Sequence, residues 1–480
     1  MMRTSESGHE RHFVESGVAD AAGRLDMAEN TAPAAAQSVT DWGRMQHATV
    51  RSVARPANET ELRDLVRSAA ADRLKVSQRG IGHSAGGQSF CPDGIMIDMR
   101  SLDRMLELAP DKRTVRVQTG ASWAVLTKAL EPLGLAVTTK QEFDTFTIGG
   151  ALAANVHGKS IDYGPLIEAT ESFRLVRPDG EIVSVSRDTD GELFRAAIGG
   201  HGLFGPMLDV TLRLVPDRLV EKSEVVFMNV EPLLASYVER IDRDRKSVPL
   251  CYGFLDSACT RGFYLTYGYS AEQPTGDLAK YPRDEMKPIL FDLFVLLQRA
   301  SGFMRQRALH FLWSGSDHPE LTLRSRRLLL WDKAPSAFEN VLLQKYFVPA
   351  AKFAAFLAKA GAIFTRYRDD LPVMANHFRF VPANSESLMA FAPEDAICLI
   401  PFYLARKDDK AWQGKLERAT GELLDACLEH GGRYYLTFDI IASKDQFRRA
   451  YPQWSEFFAL KRKYDPDEMF SSVFYQKYAR

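Results

Sequence analysis

The sequence predicts a mixed α/β chain built from two large units, and three observations carry that prediction. At 480 residues the chain exceeds the roughly 100–200 of an ordinary domain. Over 48–79 a strand, an amphipathic helix and a second strand follow one another, a βαβ pattern that implies a parallel or mixed sheet. Past residue 217 the texture changes, and 219–440 carries long aromatic-rich segments with fewer glycines, as an α+β cap domain would.

The first forty residues are polar and alanine-rich, without the apolar stretch of an export signal, and their acids (Glu6, Glu10, Glu15, Asp20, Asp26, Glu29) oppose a transit peptide. Residues 1–44 are therefore expected to form a disordered tail. ATVRSVARP (48–56) reads as a strand. NETELRDLVRSAAADR (58–73) reads as a helix, with Asn58 as N-cap and Glu61 three residues on. Its apolar residues Leu62, Leu65, Val66 and Ala69 share one face. LKVSQR (74–79) is the next strand, followed by strands at 94–99 and 114–119 and a helix from Ser122 to Leu130 with Trp123, Leu126 and Leu130 together. A Pro-Asp-Gly turn makes 172–186 a hairpin. ELFRAAI (192–198) is a short helix and DVTLRLVP (209–216) an alternating, half-buried strand. The first unit thus spans 45–217 and the cap 218–440, while 441–480, too short for a third domain, is expected to pack back on the first.

Lys plus Arg number 61 against 62 Asp plus Glu, so the basic excess of a nucleic-acid binder is absent. Cys91, Cys251, Cys259, Cys398 and Cys427 form no CxxC pair and read as buried thiols. No run reaches the roughly eighteen apolar residues of a spanning helix. The nearest, 289–313, is broken by Asp292 and Arg299 and suits a core helix or an interfacial one. The expected compartment is the cytoplasm, with peripheral membrane contact left open.

The chemistry concentrates in glycine-rich segments. Gly80-Ile81-Gly82-His83-Ser84-Ala85 satisfies G-x-G-x-x-A after a strand, and Asp98 follows near where a ribose-binding acid would stand. A dinucleotide loop of that kind must open a helix. Here GGQSFCPDG follows, and no helix fits. A tight loop whose backbone N–H groups form an anion nest fits instead, with Arg79 and Ser84 adding donors. Two further clusters, TIGGALAANVHG (147–158) and IGGHGLFG (198–205), point to one extended ligand threaded among all three.

RGIGHSAGGQ (79–88), TFTIGGALAANVHG (145–158) and ELFRAAIGGHGLFGPMLDVTLRLVP (192–216) resemble, in the same order, the flavin-contacting segments of the FAD-linked oxidoreductases of the vanillyl-alcohol oxidase type. By pattern the nearest groups are cytokinin dehydrogenases, sugar-lactone and alditol oxidases, and decaprenylphosphoryl-ribose oxidases. The resemblance is strong over 48–217 and weaker beyond, where LLQKYFVP (342–349), GGRYYLTFD (431–439) and KYDPDEMFSS (463–472) are similar to cap and C-terminal segments.

The resemblance implies a two-subdomain FAD-binding domain of α/β (α+β) type plus an α+β cap that carries the substrate site. It implies FAD contacts from Arg79, Gly80, Ile81, Gly82, His83, Ser84, Gln88 and Ser89, then Thr147, Gly149, Gly150, Ala153, Asn155, His157 and Gly158, then Gly200, Gly205 and Val210, and finally Tyr475. His83 stands where several members bond the flavin 8α-methyl carbon, a bond that needs a neutral imidazole held close; the alternative is a histidine that only hydrogen-bonds within the loop. Glu142 stands where the cytokinin dehydrogenases carry their catalytic aspartate, with Asp144 beside it, and either carboxylate is a candidate base. His201, Tyr435, Asp439, His377 and Arg379 are further candidates. Phe438 occupies the place of a lysine of the ribose oxidases, which counts against that substrate. The expected activity is oxidation of a CH–OH or CH–NH group by hydride transfer to flavin. The expected substrate is a small molecule or lipid-linked sugar. A nicotinamide-dependent C=C reductase and a catalytically silent flavin binder are the alternatives.

Overall fold

The computed structural model describes residues 36–281, Leu293, Leu296, 321–328, 341–438 and 440–479. The first elements are β1 (Gln37–Thr40), β2 (His47–Val50), β3 (Ser52–Ala54), helix α1 (Glu59–Ala71), β4 (Val76–Arg79) and β5 (Ile95–Asp98). The chain is already ordered within the stretch read as tail, because β1 pairs antiparallel with β2 from Gln37 against Val50. The βαβ unit forms a parallel sheet in the order β3-β5-β4. α1 begins where the sequence says: Asn58 accepts from the Glu61 amide, and the Glu61 carboxylate accepts from the Ala57 amide at 2.8 Å. Leu62, Val66 and Ala69 are buried against Val76, Ile97 and Phe470, with Leu65 packed at the margin. Each large apolar side chain so buried contributes roughly 1.5–3 kcal/mol. Residues 80–94 contain no helix, as the glycines and Pro92 require.

A second, wholly antiparallel sheet follows from β6 (Met105–Ala109), β7 (Thr114–Gln118), β8 (Leu135–Val137), β9 (Thr170–Val176), β10 (Ile182–Ser186) and β11 (Met207–Pro216). Its order is β10-β9-β11-β7-β6, with β8 on β11. The hairpin closes through Gly180, at φ 77. Helix α2 (Trp123–Leu130) buries Trp123, Leu126 and Leu130. Helix α3 (Ile148–Ala153) lies inside the second glycine cluster, which the sequence reading did not resolve into a helix. Gly149 is needed there because a Cβ would lie 2.9 Å from Thr119 Cβ.

Among the described residues a third sheet has nine strands, drawn from 219–434. Its central strands are β13 (Leu250–Leu255), β18 (Val373–Val381), β19 (Ala396–Leu404) and β17 (Tyr346–Pro349), numbered within the twenty described strands in chain order. Register decides its chemistry. Phe254 pairs with His377, Tyr252 with Arg379, Arg379 with Cys398 and Cys398 with Phe347. Directly paired residues share a face, so these side chains rise together on one side. The alternate set, including Tyr346, Phe378 and Leu399, joins the core with the helices Phe353–Arg366 and Lys410–Glu429.

The C-terminal segment comes back to β4. Val76 donates to Met469 O at 2.8 Å, Ser471 donates to Val76 O at 2.9 Å, and Val473 donates to the carbonyls of Gly87 and Phe90. The five cysteines are buried and unbridged. Among the described residues no helix is long and apolar enough to cross a membrane. The apolar stretch 289–313 lies outside the described residues except for Leu293 and Leu296, which are exposed.

Candidate functional site

The three glycine clusters border one cavity of about 260 Å³, close to the roughly 300 Å³ at the lower end of ordinary ligand clefts. The segments touch. A Cβ on Gly80 would fall 2.1 Å from Thr147 Oγ1, and one on Gly202 would fall 2.7 Å from Gln78 Oε1. His201, at φ 51, donates its amide to Ala153 O at 3.0 Å. Small residues thus let three backbones meet around a shared space. The loop after β4 is held from outside: Gly87 donates to Asp41 Oδ2 at 2.9 Å, Ala85 to Thr437 O at 2.9 Å, and Gln88 Nε2 to Leu436 O at 2.5 Å.

The polar surface suits a diphosphate. Arg79 Nε, Gln78 Nε2 and Ser89 Oγ are buried and have no hydrogen-bond partner among the described residues. Buried donors are seldom left so without a ligand to receive them. The residues present therefore fit an FAD. Asp98, by contrast, is engaged by Arg55 at 2.8 Å and Arg100 at 2.6 Å, so it is not a ribose ligand.

His83 lies on the wall of the cavity. Its ring stacks on Trp42 at 4.0 Å between centroids and tilts against Phe146 at 4.2 Å and Phe143 at 5.4 Å. Burial among these rings lowers its pKa to about 3, so the imidazole is neutral and retains a nitrogen lone pair. His201 is likewise lowered by burial, to about 4.

A charged part of the lining brings Arg379 and His377 of β18 and the neighbouring Lys345 together with Glu142 of the first unit. Glu142 Oε1 lies 3.4 Å from Arg379 Nη1 and 3.6 Å from Lys159 Nζ. Burial alone would raise its pKa, but Arg379, Lys159, His377 and Lys345 outweigh that and hold it at about 2. Lys345 Nζ stands 3.4 Å from His157 Nε2. Burial, then the Arg379 charge, lowers Lys345 to about 8.

The cavity lining includes Arg79, Gly80, Ile81, Gly82, His83, Ser84, Gln88, Ser89, Thr147, Gly149, Gly150, Ala153, His157 and Gly205 of the expected cofactor residues. It also includes Glu142, His201, His377, Arg379, Tyr435 and Phe438. Six expected residues lie off the lining. Asn155 accepts from the Ile167 amide at 3.0 Å, and the Tyr475 hydroxyl donates to Glu468 at 2.8 Å. A Cβ on Gly158 would meet Lys140 O at 2.8 Å and one on Gly200 would meet Ala196 O at 2.4 Å, so both glycines serve close backbone packing. Val210 is a core residue of β11. Asp144 is paired with Lys140 Nζ at 2.5 Å, both buried. Asp439 lies outside the described residues. The sequence reading missed Trp42, Phe143, Phe146, Lys159 and Lys345. Of these, Lys345 stood in the quoted LLQKYFVP segment, and its alternation with Phe347 was the signal that would have found it.

Residues 50–186 match the FAD binding domain family. The chain is 32% identical over 221 residues to cytokinin dehydrogenase 7 of Oryza sativa subsp. japonica, an alignment covering 42% of this chain and 41% of that protein. The chain therefore spans less than half the length of that relative. It is 24% identical over 473 residues to the decaprenylphosphoryl-beta-D-ribose oxidase of Mycolicibacterium smegmatis, covering 92% of this chain and 97% of that one. With the L-gulono-1,4-lactone dehydrogenase of Mycobacterium tuberculosis it shares 25% identity over 458 residues, 90% of this chain and 96% of the other.

Proposed function

We propose, on the premise that this chain belongs to the FAD-linked oxidoreductases of the vanillyl-alcohol oxidase type, that it is an FAD-dependent oxidase or dehydrogenase of CH–OH or CH–NH groups. In this reading the two sheets of residues 45–217 form the two halves of the FAD-binding domain, and the nine-stranded sheet caps it. FAD, when bound, supplies the two-electron acceptor. The glycine segments, Arg79, Gln78 and Ser89 hold its diphosphate. His83 carries the covalent bond to it.

The observation that carries the reading is the neutral His83 on the cavity wall between Trp42, Phe143 and Phe146. An imidazole that stays unprotonated to about pH 3 is a competent nucleophile at any physiological pH. Glu142, ionised and fixed by Arg379 and Lys159, accepts the substrate's hydroxyl or amine N–H and orients the C–H bond. Asp144 has no such part. The substrate is a small hydroxylated molecule or a lipid-linked sugar, a range supported by relatives whose names cite a sugar lactone and a polyprenyl-linked ribose.

An absorption spectrum before and after acid precipitation tests cofactor and bond together. Flavin absorbance that stays with the precipitated protein is the expected result. Colour released wholly into the supernatant overturns the covalent bond, and a folded protein that takes up no FAD overturns the reading.

A further inference from the structure

We propose that Lys345 is the group that takes the proton when a substrate hydroxyl is oxidised in this cavity, with His157 positioning its amine. The inference rests on the reading above that the cavity oxidises a CH–OH group with FAD as oxidant.

Lys345 occupies the short link that ends at Tyr346, the first residue of β17, and is in alternation with Phe347. Its side chain reaches the cavity face, where the ammonium lies 5.2 Å over the ring of Tyr435, 5.6 Å over that of Phe438 and 3.4 Å from His157 Nε2. Among the described residues no carboxylate forms an ion pair with it. Glu142, which acts on it electrostatically, is turned to Arg379 and Lys159. A lysine enclosed without a carboxylate is costly to keep charged.

The titratable groups that face it from the surrounding elements are His157, Glu142, His377, Arg379, Cys398 and Tyr435. Burial keeps His157 and His377 neutral, holds the Cys398 thiol up at about 11 and raises the Tyr435 hydroxyl. None of these four is charged near neutrality. Burial and Arg379 together bring Lys345 to about 8, whereas Glu142 sits at about 2 and binds a proton too weakly to accept one from an alcohol. A base works best when its pKa is close to the working pH. In the step, the substrate O–H bond breaks and its electron pair forms the C=O bond as the C–H pair leaves as hydride to the FAD. The proton ends on Nζ, and the new ammonium donates to His157 Nε2.

Arginine separates a base from a mere positive charge, because it keeps the charge and does not deprotonate. The experiment uses the flavin-loaded full chain, with L-gulono-1,4-lactone, xylitol and D-ribose 5-phosphate as hydroxyl probes. Anaerobic flavin reduction is followed against pH. In parallel, the 13Cε resonance of Lys345 in lysine-labelled enzyme, assigned by its loss in K345R, is titrated. Expected are a 13Cε midpoint near 8, a wild-type rate rising through the same pH, and K345R and K345M with wild-type flavin content, a flat profile and rates lowered about a hundredfold or more. H157F lowers kcat with KM unmoved, and H157Q restores part of it. A K345R enzyme as fast as wild type, or Lys345 titrating at the ordinary 10.5, overturns the inference while the oxidation reading stands. Wild-type flavin that no probe reduces removes the oxidation reading and the inference with it.

Discussion

The two walls of the cavity are built on opposite principles. The wall of residues 78–90, 147–157 and 198–206 is brought close by small residues, and its histidines, His83, His157 and His201, are neutral. The wall from the nine-stranded sheet is made of long side chains, with Arg379, Lys345 and His377 gathered around Glu142. A wall of closely packed glycine segments tolerates few substitutions, whereas a wall of strand side chains is free to change. The contrast teaches that binding the cofactor and choosing the reaction are separable here.

Gly80→Ala breaks the first wall most severely, since its methyl would sit 2.1 Å from Thr147 Oγ1. Flavin content of the purified protein is expected to fall at least about tenfold, the equivalent of 1.4 kcal/mol. The G80A/T147A double variant should recover part of it, and an absorbance ratio reads both. Glu142→Gln tests the second wall: the limiting rate of flavin reduction should drop about a hundredfold with flavin content unchanged. Asp144→Asn provides the contrast, because it removes one partner of a buried ion pair, which costs about 3 kcal/mol of stability. It should lower Tm and leave the reduction rate within about threefold, well inside one factor of ten.

His83→Ala should leave the first wall standing. In the proposed covalent reading FAD still binds to this variant, and acid releases it. The last effect is on acid stability. His83 and His201 are held at about 3 and about 4, below the 6.5 of an unfolded chain. The unfolded state therefore takes up protons that the native rings refuse. Native stability is complete above pH 6.5 and falls as pH drops toward 4, by up to about 1.4 kcal/mol per pH unit for each ring. Glu142, lowered from 4.5 to about 2, adds a loss of the same sign below pH 4.5. Urea midpoints at pH 7.5, 6 and 5 check this, and H83A/H201A should flatten the slope.

The two walls also differ in how far they could be read from the chain. Gly80, Gly149 and Gly205 announce themselves because only a glycine tolerates such approach, and the letters cluster locally. The cap of α+β type is visible as texture, but its active face is not, because Arg379, Cys398 and Phe347 meet only through pairings between strands distant in sequence. Glu142 and Asp144 look equivalent as letters, and only the fold shows their different ion partners, Arg379 and Lys159 for one and Lys140 for the other. Asn155 accepts from the Ile167 amide, Gly200 packs on Ala196 O and the Tyr475 hydroxyl donates to Glu468, contacts that residue type does not encode.

The return of Met469–Val473 to β4 and to the loop at Gly87 has a temporal meaning. During translation the cofactor loop is made early, while the strand edge and the backbone donor that brace it are nearly four hundred residues further along. Cradle assembly therefore waits until residues 469–473 have been made, and a ligand seat braced in this way does not exist before them.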